Sequence, residues 1–248
     1  MIDLEGRVAV VTGGGGGIGS AICHRLASLG ARVVVCVAQR LERAEQLVES
    51  LPGSGHLAVR ARVDESDELE ALAATVRETF GRLDVLVNAA GVTRPVPHGD
   101  LDGLDDDTID RIFRVNWRGG FAAVRALRSL LEAGEGGVVV NISSVAAVTG
   151  LGSNVAYCAS KAAVDSMTRS LARALAPSIR VVSVSPGWVE GEYADAMPRE
   201  VLAAQTAATP LGRLATPGDV ADAVEAALML RATTGTVIAV DGGRPLGT

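Results

Sequence analysis

Seven short apolar runs alternate along the chain with segments whose apolar residues recur at the spacing of a helix. The runs are apolar almost throughout, which is typical of strands buried on both faces of a parallel sheet. The predicted strands are Arg7–Thr12, Arg32–Val37, Leu57–Ala61, Leu83–Asn88, Gly137–Ile142, Ile179–Ser185 and Thr236–Val240. The predicted helices are Ile18–Leu29, Leu41–Leu51, Asp67–Phe80, Thr108–Leu131, Val155–Ala176 and Pro217–Leu230. This alternation predicts an α/β fold: one doubly wound domain over residues 1–248, with a seven-stranded parallel sheet, helices on both faces and a ligand site at the carboxyl ends of the strands.

Charge and composition exclude several classes of partner. The sequence carries 29 acidic and 23 basic side chains, so we expect no basic face for nucleic acid. The N-terminus lacks the apolar core of an export signal, and the uncharged stretch from Gly136 to Ser160 is interrupted by polar residues and glycine, so we expect no membrane segment. The three cysteines form no CxxC pair and the three histidines lie far apart, which predicts no metal site and fits a reducing cytoplasm.

Five consecutive glycines, Gly13 to Gly17, join the first predicted strand to the first predicted helix. Glycine is costly to order, but it lets the backbone turn sharply and lets helix N–H groups approach an anion. We therefore expect this loop to bind the pyrophosphate of a nucleotide, with a flexible glycine-rich turn as the alternative. The loop lacks the Gly-Lys-Ser/Thr ending of a P-loop, which disfavours hydrolysis of ATP or GTP.

A lysine lies on the apolar stripe of the predicted helix 155–176. Tyr157, Lys161, Val164 and Thr168 step by four, three and four, so they share one helical face. A buried ammonium is costly unless a partner or ligand compensates it. We expect Lys161 to lower the pKa of Tyr157 and to make this phenol an acid/base near neutral pH. A lysine that snorkels beside a packed tyrosine is the alternative reading.

Further polar residues interrupt apolar patterns near the same edge of the predicted sheet. Asn116 falls on the apolar stripe of the helix 108–131, where Gly119 and Gly120 would let the helix distort around the amide. The fifth strand ends in Asn141-Ile142-Ser143-Ser144, which places hydroxyls at a carboxyl end. Each residue could be a satisfied polar group of the core, but together they predict a site beside the glycine loop.

These residues resemble the motifs of the short-chain dehydrogenase/reductase family, and the resemblance covers nearly the whole chain. Thr12 to Gly19 match the family's Thr-Gly-x-x-x-Gly-Ile-Gly cofactor loop, and Asn88-Ala89-Ala90-Gly91 matches its Asn-x-Ala-Gly turn. The family's catalytic tetrad falls on Asn116, Ser144, Tyr157 and Lys161. Further signatures of the family match Pro186-Gly187 and Asp241-Gly242-Gly243.

The resemblance implies a Rossmann fold and an NAD(P)-dependent oxidoreductase that interconverts a ketone and a secondary alcohol by hydride transfer. It assigns the acid/base role to Tyr157 and the binding of the substrate oxygen to Ser144. Lys161 would contact the nicotinamide ribose, and Asn116 would hold a water in a proton path. The segment 210–221 is similar to the branch that reduces β-ketoacyl thioesters, so a 3-oxoacyl thioester is one expected substrate.

The resemblance also implies the contacts of cofactor and substrate. The expected cofactor contacts are Thr12, Gly13, Gly15, Gly16, Gly17, Ile18, Gly19, Val37, Arg40, Arg62, Val63, Asn88, Ala89, Ala90, Gly91, Tyr157, Lys161, Pro186, Gly187 and Val189. The expected substrate contacts are Ser144, Tyr157, Trp188 and Tyr193. Two departures from the family pattern stand out. No threonine follows Pro186-Gly187 in the segment 188–191, and Arg62-Val63 replaces an Asp-Val pair whose acid accepts a hydrogen bond from adenine.

The end of the second strand favours NADP(H) over NAD(H). Val37 occupies the position where an NAD-preferring site usually places an acid for the ribose hydroxyls. Arg40 offers a guanidinium to a 2′-phosphate, and Arg62 is expected to add positive field. Against this, Gly16 replaces a base that many NADP-preferring members carry in the glycine loop.

Other readings and two further expectations follow from the chain. A catalytically inactive regulator or scaffold with the same fold is the main alternative, and an extended-family epimerase or dehydratase ranks last, since only a short region follows the sixth strand. The helices of Asn116 and Tyr157 are rich in small residues, and the family resemblance implies a homotetramer or homodimer. The segment 188–209 is expected to be a mobile lid over the substrate, with a short helix over 200–208.

Overall fold

A computed structural model, which describes residues 2–134 and 136–246, contains one parallel sheet of seven strands. The strands are β1 (Val8–Thr12), β2 (Arg32–Val37), β3 (Leu57–Arg60), β4 (Val85–Asn88), β5 (Gly137–Ile142), β6 (Ile179–Pro186) and β7 (Val237–Val240). Their spatial order is β3-β2-β1-β4-β5-β6-β7, and every neighbouring pair is parallel. The predicted seven-stranded doubly wound sheet is therefore confirmed.

Helices cover both faces of the sheet. They are α1 (Gly17–Ser28), α2 (Leu41–Ser50), α3 (Ser66–Phe80), α4 (Asp106–Phe113), α5 (Gly120–Glu132), α6 (Ala146–Thr149), α7 (Val155–Leu175), α8 (Glu192–Asp195), α9 (Arg199–Ala207) and α10 (Pro217–Met229). One apolar core lies between the sheet and α1, α2 and α10, and a second lies between the sheet and α3, α5 and α7. None of the helices in the described residues combines the length and apolarity needed to cross a membrane.

The strand order reverses between β1 and β4, which opens a crevice at the carboxyl edge of the sheet. The last residue of β1, Thr12, is paired with Cys36 on one side and with Asn88 on the other. The chain leaves β1 toward β2 and returns on the opposite side as β4, so the loops after these strands diverge and leave a crevice between them. The glycine loop lies at this crevice.

The edge strands depart from the predicted pattern. The five inner strands are almost entirely buried, as their apolar sequences predict. In β3 and β7, by contrast, the residues are half-buried or exposed. The prediction that these two apolar runs are buried on both faces is wrong, because each has a neighbour on one side only and lies at the margin of the helical layers.

The predicted helix 108–131 is divided by a π-helical turn, Arg114–Gly119, between α4 and α5. Asn116 lies inside this turn and is buried. A β-carbon on Gly119 would lie 2.6 Å from Cγ2 of Val63, so the turn packs where only glycine fits. The expected distortion at Asn116 is therefore present, and it takes the form of a wide turn, an irregularity that is frequent at functional sites.

A buried carboxylate supports the opposite, amino-terminal edge of the sheet. Asp84 is 5% exposed and accepts hydrogen bonds from the backbone N–H of Val8 at 2.9 Å and from the guanidinium of Arg7 at 3.0 Å. Arg82 forms a second ion pair with the same carboxylate. This cluster fixes the start of β1 against the start of β4.

Candidate active site

Gly13 and Gly19 are required by close packing within the glycine loop. Gly13 has a φ of +67°, and a β-carbon there would lie 2.8 Å from the backbone of Ala90. A β-carbon on Gly19 would overlap the carbonyl oxygen of Gly13. The loop after β1 therefore packs directly on the Ala89-Ala90 turn after β4, and this contact fixes one wall of the crevice.

The beginning of α1 offers unpartnered backbone donors to an anion. The helix begins after Gly16 with no side-chain cap and no acidic residue in its first turn. Its first N–H groups have no acceptor within the helix, and the positive end of the helix dipole points the same way. Around Gly17, open space lies where a side chain would stand. This donor set and this space fit a pyrophosphate.

Thr12 and Asn88 hold the walls of the crevice from inside. The hydroxyl of Thr12 accepts a hydrogen bond from the N–H of Ala90 at 3.3 Å. The side-chain amide of Asn88 donates to Oδ1 of Asn141 at 2.9 Å and to the carbonyl oxygen of Gly120 at 3.3 Å. Both side chains point into the protein, so they position the two loops that would face a cofactor.

Lys161 lies at the centre of the predicted site. The residue is 6% exposed, and its ammonium donates to the carbonyl oxygen of Ile142 at 2.8 Å. Its Nζ lies 5.7 Å from the centre of the Tyr157 ring. A β-carbon on Gly91 would lie 3.8 Å from Nζ of Lys161 and 3.5 Å from Oδ1 of Asn116, so both side chains meet beside this turn. Burial lowers the pKa of Lys161 to about 8.

Composition contains a signal for this lysine that motif analysis does not use. Lys161 is the only lysine in the 248-residue sequence, and every other basic residue of the 23 is arginine. A surface charge is served equally well by arginine, whereas a compact amine whose pKa responds to burial is a property of lysine. The single lysine thus occupies a buried position, where its pKa responds to its surroundings.

The expected lowering of the Tyr157 pKa is wrong. Burial raises the pKa of this phenol, and the neighbouring Ser144 hydroxyl acts in the opposite direction with a smaller effect. Tyr193 contributes a further increase. The sequence indicated the i, i+4 relation of Tyr157 and Lys161, but it did not indicate how far burial disfavours the phenolate.

Asn116 joins the turn after β4 to α7. Its Oδ1 accepts a hydrogen bond from the N–H of Val92 at 2.8 Å, and its Nδ2 donates to the carbonyl oxygen of Val92 and to Oγ of Ser160, both at 3.1 Å. Ser160 in turn donates to the carbonyl oxygen of Tyr157 at 2.8 Å. The amide hydrogens of Asn116 are therefore used within the protein, and its oxygen has capacity for one more donor.

Asn154 and Ser160 are site residues that sequence analysis missed. Asn154 is 1% exposed and caps α7 by accepting a hydrogen bond from the N–H of Tyr157 at 2.7 Å. Its Nδ2 donates to the carbonyl oxygen of Arg94 at 2.7 Å, which ties the loop after β4 to the start of α7. The available signal was an asparagine just before a helical pattern, a preferred N-cap.

Comparison with known proteins agrees with this geometry. Residues 13–244 match the family model described as enoyl-(acyl carrier protein) reductase. A protein from Streptomyces violaceoruber, named as a ketoacyl reductase of the granaticin polyketide synthase, is 40% identical over 247 residues, covering 98% of this chain and 97% of that protein. The cis-4-hydroxycyclohexanecarboxylate dehydrogenase of Sinomonas cyclohexanicum is 38% identical over 243 residues, 96% of each protein.

A solved structure extends the agreement to the fold. The glucose/ribitol dehydrogenase-type short-chain dehydrogenase/reductase from Brucella melitensis has a TM-score of 0.91 and 31% identity, and 98% of each chain is covered. The chain belongs to the short-chain dehydrogenase/reductase family. Likeness to oxidoreductases over nearly the whole chain confirms the expectation of a dehydrogenase/reductase enzyme, and enzymes of this family use NAD(P).

The residues expected to select the cofactor occupy different electrostatic settings in this short-chain dehydrogenase/reductase. Val37 is 7% exposed and lies against the glycine loop, where a β-carbon on Gly15 would be 3.0 Å away. Arg40 is exposed, has a φ of +56° and forms no ion pair in the described part of the chain. Arg62 pairs with Asp64 at 2.7 Å and with Glu65 at 3.5 Å, so the positive field expected from it is largely compensated.

The segment after β6 leaves the sheet at its carboxyl edge. The rings of Trp188 and Tyr193 have centroids 5.9 Å apart and an interplanar angle of 41°. Val189 forms a single parallel bridge with Ala215, and the N–H of Gly187 donates to the carbonyl oxygen of Val240 at 3.0 Å. The expected short helix over 200–208 is present as α9, and whether the segment moves as a lid stays a prediction.

We expect Gly13→Ala to lower the free energy of unfolding by about 2 kcal/mol or more, because the β-carbon would strain a left-handed φ and meet the backbone of Ala90. Gly17→Ala is the matched control, since open space surrounds that position, and its free energy of unfolding should stay within about 0.5 kcal/mol of the parent. Urea denaturation measures both. Equal stability of the two variants would show that the approach of Gly13 to Ala90 is not required.

Proposed function

We propose that this short-chain dehydrogenase/reductase interconverts a small ketone and its secondary alcohol, with NADP(H) favoured over NAD(H). The observation that carries the proposal is that four polar side chains meet at the carboxyl edge of the sheet: Tyr157, Lys161, Ser144 and Asn116. Beside them lies the glycine loop, where the uncapped start of α1 fits an anion. A bound nicotinamide supplies or accepts the hydride. The protein supplies orientation and the proton.

Tyr157 carries the proton in this proposal. Because burial raises the pKa of its phenol, Tyr157 is protonated at neutral pH and is ready to donate its proton to a carbonyl oxygen held by the Ser144 hydroxyl. The ammonium of Lys161 lies near the ring and favours the phenolate that forms when the proton leaves. Asn116 keeps the turn after β4 and α7 in register, and its remaining acceptor capacity fits the bound water that family resemblance implies.

The cofactor preference is supported by the surroundings of the second strand. Val37 is an apolar side chain where an acid would bind the ribose hydroxyls and repel a 2′-phosphate. Arg40, exposed and without an ion pair in the described residues, is available to a phosphate. With Arg62 paired to two carboxylates, the preference depends mainly on Arg40 and on the missing acid.

The substrate we favour is a free ketone, with a 3-oxoacyl thioester as the second candidate. Likeness to a ketoacyl reductase supports the thioester. Against a thioester on an acidic carrier protein, the exposed segment at the start of α4 carries Asp100, Asp102, Asp106 and Asp107, whereas Asp105 is paired with Arg94. Charges of one sign repel one another and slow association. Trp188 and Tyr193 offer an aromatic wall to the neutral substrate.

We further propose that the enzyme works as a homodimer or homotetramer in the cytoplasm. Trp117 and Phe121 are stacked at 6.3 Å, and both are more than a third exposed, an unusual setting for large aromatic residues. They border a groove of about 390 Å³ whose opposite wall is formed by α7. Free thiols at all three cysteines fit a reducing compartment.

Tyr157→Phe is expected to lower kcat at least about 100-fold, because the proton donor is lost, while the Kd of the cofactor stays nearly unchanged. Lys161→Ala should lower kcat and weaken cofactor binding together. Tyr193→Phe, which also removes one phenol hydroxyl, should change KM more than kcat. Nicotinamide absorbance and fluorescence measure turnover and binding, and near-normal turnover of Tyr157→Phe would contradict the assignment.

Arg40→Ala is expected to lower kcat/KM for NADP(H) about tenfold and to leave NAD(H) nearly unchanged, because a charge-assisted hydrogen bond to the 2′-phosphate is lost. Val37→Asp should reverse the preference toward NAD(H). Arg77→Ala, at an exposed arginine on α3, is the control and should change neither value. A parent enzyme that already prefers NAD(H) would refute the proposed preference.

Light scattering is expected to give the mass of a dimer or a tetramer of the 25.4 kDa chain. Phe121→Arg should dissociate the particle, because it places a charge in the proposed contact. Leu101→Arg, at a residue that is 74% exposed elsewhere on the surface, should leave the mass unchanged. A parent particle of 25.4 kDa at micromolar concentration would rule out the oligomer.

A further inference from the structure

Asp165 is a buried acid with no role in the proposed reaction. It lies on α7, is 4% exposed, and follows Lys161 by four residues, so the two side chains project from adjacent turns of the same helical face. Its Oδ1 has no hydrogen-bond partner among residues 2–134 and 136–246. Carboxylates are almost never fully buried unless a partner compensates them, so the position of Asp165 requires an explanation.

Burial and the groups around Asp165 act on its pKa in opposite directions, and burial has the larger effect. The hydroxyls of Ser143 and Ser183 stand beside it from the sheet, and the charges of Lys161 and Arg169 face it from its own helix. Burial opposes them and raises the pKa of Asp165. Of the two charges, Arg169 lowers the pKa of Asp165 more, although its side chain is exposed, and the interaction with Lys161 acts between two buried groups.

The direct contacts of Lys161 among the described residues do not include an opposite charge. Its ammonium donates to a neutral acceptor, the carbonyl oxygen of Ile142, and forms no direct ion pair in the described part of the chain. Burial lowers the pKa of Lys161, and the charge of Asp165 is the opposing influence. Opposite charges on adjacent turns of a buried helical face attract each other more strongly than in water, so Asp165 affects a group whose pKa is about 8.

We propose that Asp165 is a positioning residue of the active site, whose buried carboxylate keeps the ammonium of Lys161 charged beside Tyr157. The inference rests on the proposed function, in which a charged Lys161 stabilises the phenolate of Tyr157. Asp165 touches neither substrate nor cofactor and acts through Lys161. Its serine contacts act against the increase in its pKa that burial causes. Its place one turn further along α7 than Lys161 separates it from the reacting atoms.

The single lysine makes this proposal directly measurable. Lysine labelled with ¹³C and ¹⁵N gives one side-chain signal, that of Lys161, whose pH titration reports its pKa without any substrate or cofactor. Asp165→Asn keeps the size and shape of the side chain, replaces one acceptor oxygen by an amide donor and removes the charge, and it should lower the pKa of Lys161 by about 1. Asp165→Glu keeps the charge and should restore the pKa at least in part.

Asp84→Asn is the matched control. Asp84 is as deeply buried as Asp165, at 5% exposed, but it belongs to the ion pairs at the amino-terminal edge of the sheet. This variant should lose stability and leave the Lys161 titration unchanged. An unchanged titration in Asp165→Asn, with or without a loss of stability, would overturn the proposal and leave Asp165 a structural residue only.

A second readout is the pH profile of kcat/KM for alcohol oxidation. The activity that requires a charged Lys161 is lost as pH rises through the pKa of Lys161, so Asp165→Asn should move the alkaline limb down by about one pH unit. If Asp165→Asn does not fold, the parent protein decides: the Lys161 signal should show a second, acid inflection as Asp165 is protonated, and its absence would overturn the proposal. Normal turnover of Tyr157→Phe would refute the proposed function while leaving the Lys161 titration valid.

Discussion

The structure depends on the burial of one ammonium group at the carboxyl edge of a parallel sheet. Lys161 loses nearly all its contact with water, and transferring a charge from water to the protein interior is among the most costly changes in folding. A neutral carbonyl acceptor at 2.8 Å compensates part of that cost. The rest of the compensation must come from the charges and dipoles around the ammonium, so the choice of residues near Lys161 is restricted.

A buried polar layer lies behind Lys161 and makes this arrangement possible. The amide of Asn141 donates to the hydroxyl of Thr168 at 2.8 Å, and Thr168 shares a 2.7 Å hydrogen bond with Ser183. These hydrogen bonds join β5, β6 and α7 through buried side chains. Because a buried polar group is costly in any arrangement that breaks its hydrogen bonds, such a network favours one register of helix against sheet. That register determines where Tyr157 and Lys161 face.

The sequence was sufficient for the inner part of the fold and for the four polar residues expected at the carboxyl edge, but not for Asn154 and Ser160, which support them. The bounds of β2 and β5 are those predicted, because apolar runs rich in β-branched residues form buried strands in a chain that alternates strands and helices. The exposure of β3 and β7 was not predictable, since an apolar run does not reveal which strands form the edges. The π-helical turn at Asn116 was expected as a distortion, but its form depends on the contact of Asn116 with Val92, which lies 24 residues away in sequence.

The protonation of Tyr157 and Lys161 could not be predicted from the sequence, because it depends on how deeply the two groups are buried. Spacing places Tyr157 beside Lys161, and proximity alone argues for a lowered phenol pKa. Burial acts on both groups in the direction of neutrality, raising the pKa of the phenol and lowering that of the ammonium to about 8. Because the pKa of Lys161 is about 8, a small change in its surroundings changes how much of the lysine is charged near neutral pH. A neighbouring carboxylate such as Asp165 favours the charged form. For both members of this pair burial is the largest influence on the pKa, and spacing along a helix does not reveal burial, so the protonation of the pair follows from the packing around it.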